Sequence, residues 1–119
     1  MIADCHAAGH AFLVTTDLAG FATYAQFRGG SGYKTCMEHT IILAPAACGH
    51  GHGRALLHAL ESHAAAAGAH QMMAGISAEN PAALRFHAAL GYREIARIPE
   101  ADFKFNRYID LVLMQKFLS

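Results

Sequence analysis

The 119-residue chain has no tryptophan, only three prolines and three cysteines, and no excess charge of either sign. Cys5, Cys36 and Cys48 are an odd number with no CxxC spacing, so neither a disulfide framework nor a thiolate zinc site is indicated. Nine Lys and Arg balance nine Asp and Glu, which leaves no net charge to attract a nucleic-acid backbone. No apolar run approaches the ~20 residues that span a bilayer, and the N-terminus lacks a signal-peptide pattern. We therefore expect a cytoplasmic protein with neither a nucleic-acid nor a membrane partner.

The chain does contain nine histidines, and imidazole is a common zinc ligand. Their spacing does not favour a metal. His50 and His52 lie in a glycine-rich stretch without an HExxH pattern, and His58, His63 and His70 share no i, i+4 relation on a helix face. We expect no metal site.

The length predicts one domain, residues 1–119. Hydrophobic residues make up 54% of the chain and charged residues 15%, so we expect part of the surface to be covered by another molecule. Apolar periodicity and the positions of glycine predict an α/β (α+β) sheet protein with two helices. The predicted strands are 11–15, 21–27, 36–43, 71–77, 93–98 and 108–117. The predicted helices run from the glycine cluster to Gly68 and from Asn80-Pro81 to Gly91, and an irregular segment is predicted at 99–106.

A glycine cluster, CGHGHGRALL at residues 48–57, opens the first helix. Unpaired N–H groups and the helix dipole make such a start suitable for an anionic ligand, with phosphate the first candidate. A P-loop is excluded because the chain has no Gly-Lys pair. A dinucleotide fingerprint is excluded because Arg54 stands where GxGxxG needs its third glycine.

What the cluster does match is the acetyltransferase signature Gln/Arg-x-x-Gly-x-Gly/Ala, with Gly51 and Gly53 on its last two fixed positions. The segments MEHTIILAP, AENPA, FHAALGY and FKF continue the similarity over residues 11–118. The chain thus resembles the GNAT N-acetyltransferase superfamily, and within it the phosphinothricin acetyltransferase branch.

The resemblance implies the GNAT acyl-CoA N-acyltransferase fold, with a mixed, mostly antiparallel central sheet flanked by helices. The family normally has a strand and two helices before the first hairpin, and this chain has only residues 1–10 in their place, so we expect it to lack them. The implied cofactor is acetyl-CoA, as co-substrate. The implied cofactor-binding residues are Ile41, Ile42, Leu43, Gly49, His50, Gly51, His52, Gly53, Arg54 and Asn80.

By the same resemblance Glu38 is the general base that deprotonates a primary amine, and a backbone N–H of Ile42 or Leu43 stabilises the oxyanion. His87 stands where related enzymes carry a tyrosine acid. Each assignment has a plainer rival: Glu38 as an ordinary strand carboxylate, His87 as a packed helix histidine, and Asn80 as a helix N-cap only.

The implied reaction is acetyl transfer from acetyl-CoA to the amine of a small molecule, such as phosphinothricin or methionine sulfoximine. A homodimer is implied, with Phe103, Lys104 and Tyr108 near the acceptor. Cys48 replaces the signature's Gln or Arg, and it motivates the alternative of a non-catalytic or impaired acetyl-CoA-binding module. Arg54 is either a charge for the pyrophosphate or a solvated first-turn residue.

Overall fold

The computed structural model describes the backbone of residues 2–7, 10–15, 20–43 and 52–119, and side chains at 21–41 and 53–119. The chain divides into two compact units, one of Met1–Met72 with Leu118–Ser119 and one of Met73–Phe117. The elements in chain order are β1 (Ile2–Ala7), β2 (His10–Thr15), β3 (Gly20–Gln26), β4 (Cys36–Leu43), α1 (His52–Ala66), β5 (Gln71–Ser77), α2 (Pro81–Ala89), β6 (Arg93–Lys104) and β7 (Arg107–Phe117).

In the first unit, β1, β2, β3 and β4 are successive antiparallel neighbours. The strands predicted at 11–15 and 21–27 correspond to β2 and β3, which form a hairpin, and the strand predicted at 36–43 corresponds to β4. β1 corrects the expectation that no strand precedes this hairpin. It pairs with β2 along its whole length, from Ile2 opposite Thr15 to Ala7 opposite His10.

Helix α1 packs against β2, β3 and β4 through one apolar stripe. Leu56, Leu57, Leu60 and Ala64 are fully buried and recur at the three- and four-residue spacing of a helix face. Burial of this stripe, rather than helix propensity alone, holds the helix on the sheet.

Both helices end as their glycines predict. After α1, the N–H of Ala69 donates to the carbonyl of Ala64, and Gly68 follows the helix at a φ of 100°. After α2, the N–H of Tyr92 donates to the carbonyl of His87, and Gly91 also has a φ of 100°. These are Schellman motifs, in which glycine takes the left-handed position without a Cβ clash.

In the second unit, β7 lies between β5 and β6. The irregular segment predicted at 99–106 was wrong in extent, because β6 continues through Lys104. The chain then turns at Phe105 and Asn106, with φ values of 54° and 59°. A register shift between Ile98 and Asp102 accommodates Pro99 within the strand. No helix in the described part of the chain is long and apolar enough to cross a membrane.

Candidate functional site

Glu38 lies on the face of the first-unit sheet that points away from α1. Tyr24 and His39 are directly opposite each other across β3 and β4 and are both buried. The Tyr24 hydroxyl lies 2.8 Å from Nδ1 of His63 on α1, which identifies their face as the helix side. Because side chains alternate along a strand, Glu38, one residue before His39, points to the other face.

The Glu38 carboxyl is only partly accessible to water. The side chain is half-buried, and burial raises the pKa of Glu38 above its ordinary value. Cys36, two residues earlier on the same face, has its thiol pKa raised by burial first and by the Glu38 charge second. A partly desolvated carboxylate with a raised pKa is better matched to proton abstraction near neutral pH than a solvated one.

The structure adds two hydroxyl side chains that the sequence reasoning did not single out. Thr40 is two residues beyond Glu38 on β4, and Thr23 is its cross-strand partner on β3. Both therefore share the face that carries Glu38. The two-residue period of a strand could have placed Thr40 there, whereas Thr23 required the register of β3 against β4.

The described residues at the start of α1 have features of an anion-binding site. His52 is the first helical residue, Gly53 is buried, and Arg54 is exposed. The first turn carries no acidic residue, so no carboxylate opposes an anion at the positive end of this 15-residue helix. These features fit the pyrophosphate of a coenzyme A. Gly49, His50 and Gly51 lie outside the described residues.

The remaining residues of the first unit that are predicted to bind the cofactor are three residues of β4. Ile41 is half-buried. Ile42 and Leu43 are the last two residues of β4 and pair with Phe21 and Gly20 of β3. Their backbone placement is described, and their side chains lie outside the description.

Asn80 is the N-cap of α2. Its Oδ1 accepts a hydrogen bond of 3.1 Å from the N–H of Ala83, and Pro81 fills the first helical position, where a missing N–H costs nothing. Asn80 is therefore a helix N-cap. The cap uses only the oxygen of the side chain, and the residue is exposed, so a second role for its amide NH2 is compatible with capping.

Replacing Asn80 with alanine is expected to lower the free energy of unfolding by about 0.5 to 2 kcal/mol, because the cap is lost. The Asn80→Asp variant keeps an acceptor oxygen and should retain that stability. Urea unfolding of both variants measures the effect. An alanine variant as stable as the parent chain would contradict the capping role.

His87 is buried within the second unit, with 4% of its surface exposed. Its Nδ1 lies 2.8 Å from the carbonyl oxygen of Ala83, one helical turn earlier. Its ring makes edge-to-face contacts with Phe86 and Tyr92, at centroid distances of 5.2 and 5.3 Å. His87 is thus a packed helix histidine, and one of its ring nitrogens contacts the backbone of its own helix.

Glu79, just before α2, forms a two-pronged ion pair with Arg107 at the start of β7. The hydrogen bond from Arg107 lowers the pKa of Glu79.

In the hairpin formed by β6 and β7, Phe103 and Tyr108 are exposed and in ring contact, with their ring centres 4.9 Å apart. Lys104 pairs with Asp102 at 3.2 Å. These exposed groups form the tip of the β6–β7 hairpin.

At residues 21–41 and 53–119, no three His, Cys, Asp or Glu side chains are grouped closely enough to hold an ion.

The Acetyltransferase (GNAT) family model matches residues 2–92, more than half of the chain, and the chain belongs to this family. The match extends over β1 to β5, α1 and α2, and it confirms the resemblance drawn from the sequence motifs.

Comparison with individual relatives leads to the same family assignment. The L-methionine sulfoximine/L-methionine sulfone acetyltransferase of Salmonella typhimurium is 36% identical over 110 residues, which is 90% of this chain and 64% of the relative. A phosphinothricin N-acetyltransferase of Streptomyces coelicolor is 35% identical over 100 residues, 84% of this chain and 58% of the relative. The chain therefore spans less than two thirds of the length of these curated relatives.

Among solved structures, an acetyltransferase from Salmonella typhimurium with its cofactor acetyl-CoA superimposes with a TM-score of 0.86 at 36% identity. The match covers 93% of this chain and 66% of that one. The predicted GNAT fold class is confirmed.

Proposed function

We propose that the chain is an N-acetyltransferase that moves the acetyl group of acetyl-CoA to the primary amine of a small amino acid analogue, in the class of methionine sulfoximine and phosphinothricin. The observation that carries the proposal is the half-buried Glu38 carboxyl, with its raised pKa, on β4 of a GNAT fold. The relatives named above support the substrate class, since both acetylate such compounds by name.

The residues at the start of α1 are proposed to hold the co-substrate. Acetyl-CoA supplies the acetyl group as a thioester. The backbone N–H groups of residues 49–54 bind its pyrophosphate, and Arg54 adds a positive charge. Asn80 donates from its amide to the pantetheine arm while its Oδ1 caps α2. Ile41, Ile42 and Leu43, at the end of β4, bind the same co-substrate.

Glu38 is proposed as the general base. An alkyl ammonium has a pKa of about 10.4, so most of the acceptor amine is protonated at neutral pH and cannot attack. The Glu38 carboxylate removes that proton, directly or through a water. The backbone N–H of Ile42 or Leu43 stabilises the negative charge that develops during transfer.

The wider organisation follows the family resemblance. We propose that residues 1–119 act as one N-acetyltransferase domain in the cytoplasm, as a homodimer, with the Phe103–Tyr108 hairpin tip near the acceptor. The exposed aromatic side chains of that tip are the feature that favours this location.

Calorimetric titration of acetyl-CoA into the 119-residue chain tests the proposal first. We expect a dissociation constant in the range of about 1 to 100 μM, and a much weaker response to ATP or NAD. An assay with methionine sulfoximine and phosphinothricin as acceptors then tests turnover. Binding without turnover of any amine would favour the non-catalytic module, and a folded chain with no binding at about 1 mM acetyl-CoA would overturn the proposal.

A further inference from the structure

The ion pair between Glu79 and Arg107 joins two segments of the second unit. Nη1 of Arg107 donates to Oε2 of Glu79, and Nη2 donates to Oε1. A two-pronged pair of this kind fixes the relative direction of the two groups as well as their separation. The side chains are 55% exposed at Arg107 and 43% exposed at Glu79, and exposed ion pairs contribute little to global stability. The pair therefore serves local geometry more than the stability of the fold.

The main chain of Glu79 is held in place independently of Arg107. Glu79 lies in the turn before α2, where the N–H of Asn80 donates to the carbonyl of Ser77 and the N–H of Glu79 donates to the Ser77 hydroxyl at 3.2 Å. Asn80 then caps the helix through the N–H of Ala83. The carboxylate of Glu79 thus extends from a fixed helix start.

Arg107 lies in a part of the β6–β7 hairpin that extends past the end of β5. The strand β5 ends at Ser77, and the N–H of the next residue, Ala78, donates to the carbonyl of Asp110. β7 begins three residues before Asp110, so about 10 Å of strand extends past this bond. There β7 pairs with β6, and a two-stranded ribbon alone is only marginally stable. The ion pair attaches the end of this ribbon to the start of α2.

We propose that Arg107 is a positioning residue that, through its ion pair with Glu79, holds the hairpin tip beside the start of α2. This rests on the proposed function, in which the hairpin tip lies near the acceptor and Asn80 binds the pantetheine arm. Tyr108 follows Arg107 directly, and Phe103 is the cross-strand partner of Tyr108. Because Glu79 precedes Asn80, the ion pair sets the placement of both aromatic rings relative to the residue proposed for pantetheine.

Amide hydrogen exchange in the intact chain tests the attachment without any substrate. Glu79→Gln removes the negative charge and one acceptor oxygen, and Arg107→Gln removes the guanidinium fork. We expect residues 102–109 to exchange about two- to fivefold faster in either variant. The matched control is Arg85→Gln, at an exposed arginine of α2, and it should exchange like the parent chain. Equal exchange in all three variants would overturn the proposal whether or not the chain is an enzyme.

Carbon-13 NMR of the Glu79 carboxyl shows whether the ion pair forms in solution. The hydrogen bond from Arg107 lowers the pKa of Glu79 in the parent chain. The pKa should therefore rise toward the ordinary glutamate value in Arg107→Gln and stay low in Arg85→Gln. A Glu79 pKa that is the same in Arg107→Gln as in the parent chain would contradict the ion pair and the proposal with it.

Kinetics with methionine sulfoximine test whether the attachment serves the acceptor. We expect Glu79→Gln and Arg107→Gln each to lower kcat/KM for this amine by about tenfold, because the hairpin tip is displaced. The dissociation constant of acetyl-CoA should stay within about twofold, since Asn80 keeps its cap. The double variant should lose no more than either single variant, because both changes remove the same contact. Arg107→Lys keeps the charge without the fork and should recover part of the loss.

The double variant also distinguishes positioning from direct contact between Arg107 and the acceptor. Direct contact would make Arg107→Gln harmful while Glu79→Gln stayed near the parent level, or would make the two losses multiply in the double variant. Either result would overturn the positioning role and leave the proposed N-acetyltransferase function intact. A parent chain that acetylates no amine would instead remove the proposed function, and with it the part of the proposal that concerns the acceptor.

Discussion

The Glu38→Gln variant is expected to lose about 100- to 10,000-fold in kcat, the range that a general base contributes. The amide is close to the carboxylate in shape but cannot take a proton from the acceptor ammonium. Acetyl-CoA affinity should stay within about twofold, since the pyrophosphate contacts proposed at α1 do not involve Glu38. Steady-state kinetics with a saturating amine, together with calorimetric titration of acetyl-CoA, measure both quantities.

Stability distinguishes this loss from misfolding. Burial raises the pKa of Glu38 in the folded state above its unfolded value. The stability contributed by the protonated carboxyl is then fully present below the unfolded pKa and is lost as pH rises through the folded pKa. At a pH above the folded pKa the ionised Glu38 therefore opposes folding, so Glu38→Gln should unfold there at the same or a higher temperature than the parent chain.

The raised pKa of Glu38 also determines how kcat depends on pH. Protonation of Glu38 removes the base, so kcat should fall on the acid side at a pH above the ordinary glutamate pKa. Glu94→Gln is the matched control, because Glu94 is an exposed carboxylate on β6. Equal kinetics in the two glutamine variants would remove Glu38 from the mechanism.

Local signals were enough to place most helices and strands. Glycines 68 and 91 predicted where α1 and α2 end, because only a residue without a Cβ takes the left-handed position of a Schellman motif at little cost. Asn80-Pro81 predicted the start of α2 for equally local reasons. The predicted bounds of the strand that carries Glu38 match the observed bounds, because turn residues flank the apolar residues that come after Glu38.

Features that depend on pairing were missed. β1 is recognised by its partner β2, since its own letters, IADCHA, include only one β-branched residue and no Phe, Tyr or Trp to favour a strand. The extension of β6 past Pro99 depends on β7, where Asp110 accepts hydrogen bonds from the N–H of Glu100 and from Arg97 at the register shift. Without β7, a proline followed by polar residues predicts a loop.

The candidate site was only partly predicted, because some of its features also depend on contacts between elements. Motif similarity identified Glu38 and His87 as residues, but their burial and partners come from packing. The half-burial of Glu38 and the hydrogen bond between His87 and Ala83 are properties of the folded chain.

Replacing Leu60 with alanine is expected to lower the free energy of unfolding by about 2 to 5 kcal/mol. Leu60 is fully buried at the middle of the apolar stripe of α1, between Leu56 and Ala64 on the same face. Truncation removes three carbons' worth of apolar contact and leaves a cavity against the sheet, and a close-packed interior closes such a cavity only in part. Urea unfolding at neutral pH gives the value directly.

Two matched variants show whether this loss of stability comes from the buried position of Leu60. Leu60→Met conserves volume and should cost less than about 1.5 kcal/mol. Ser62→Ala lies on the exposed side of the same helix and should change stability by no more than about 0.5 kcal/mol. Because α1 also presents the N-terminus proposed to bind pyrophosphate, acetyl-CoA should restore part of the stability lost in Leu60→Ala. A Leu60→Ala chain that unfolds like Ser62→Ala would mean that α1 is not held through its apolar stripe.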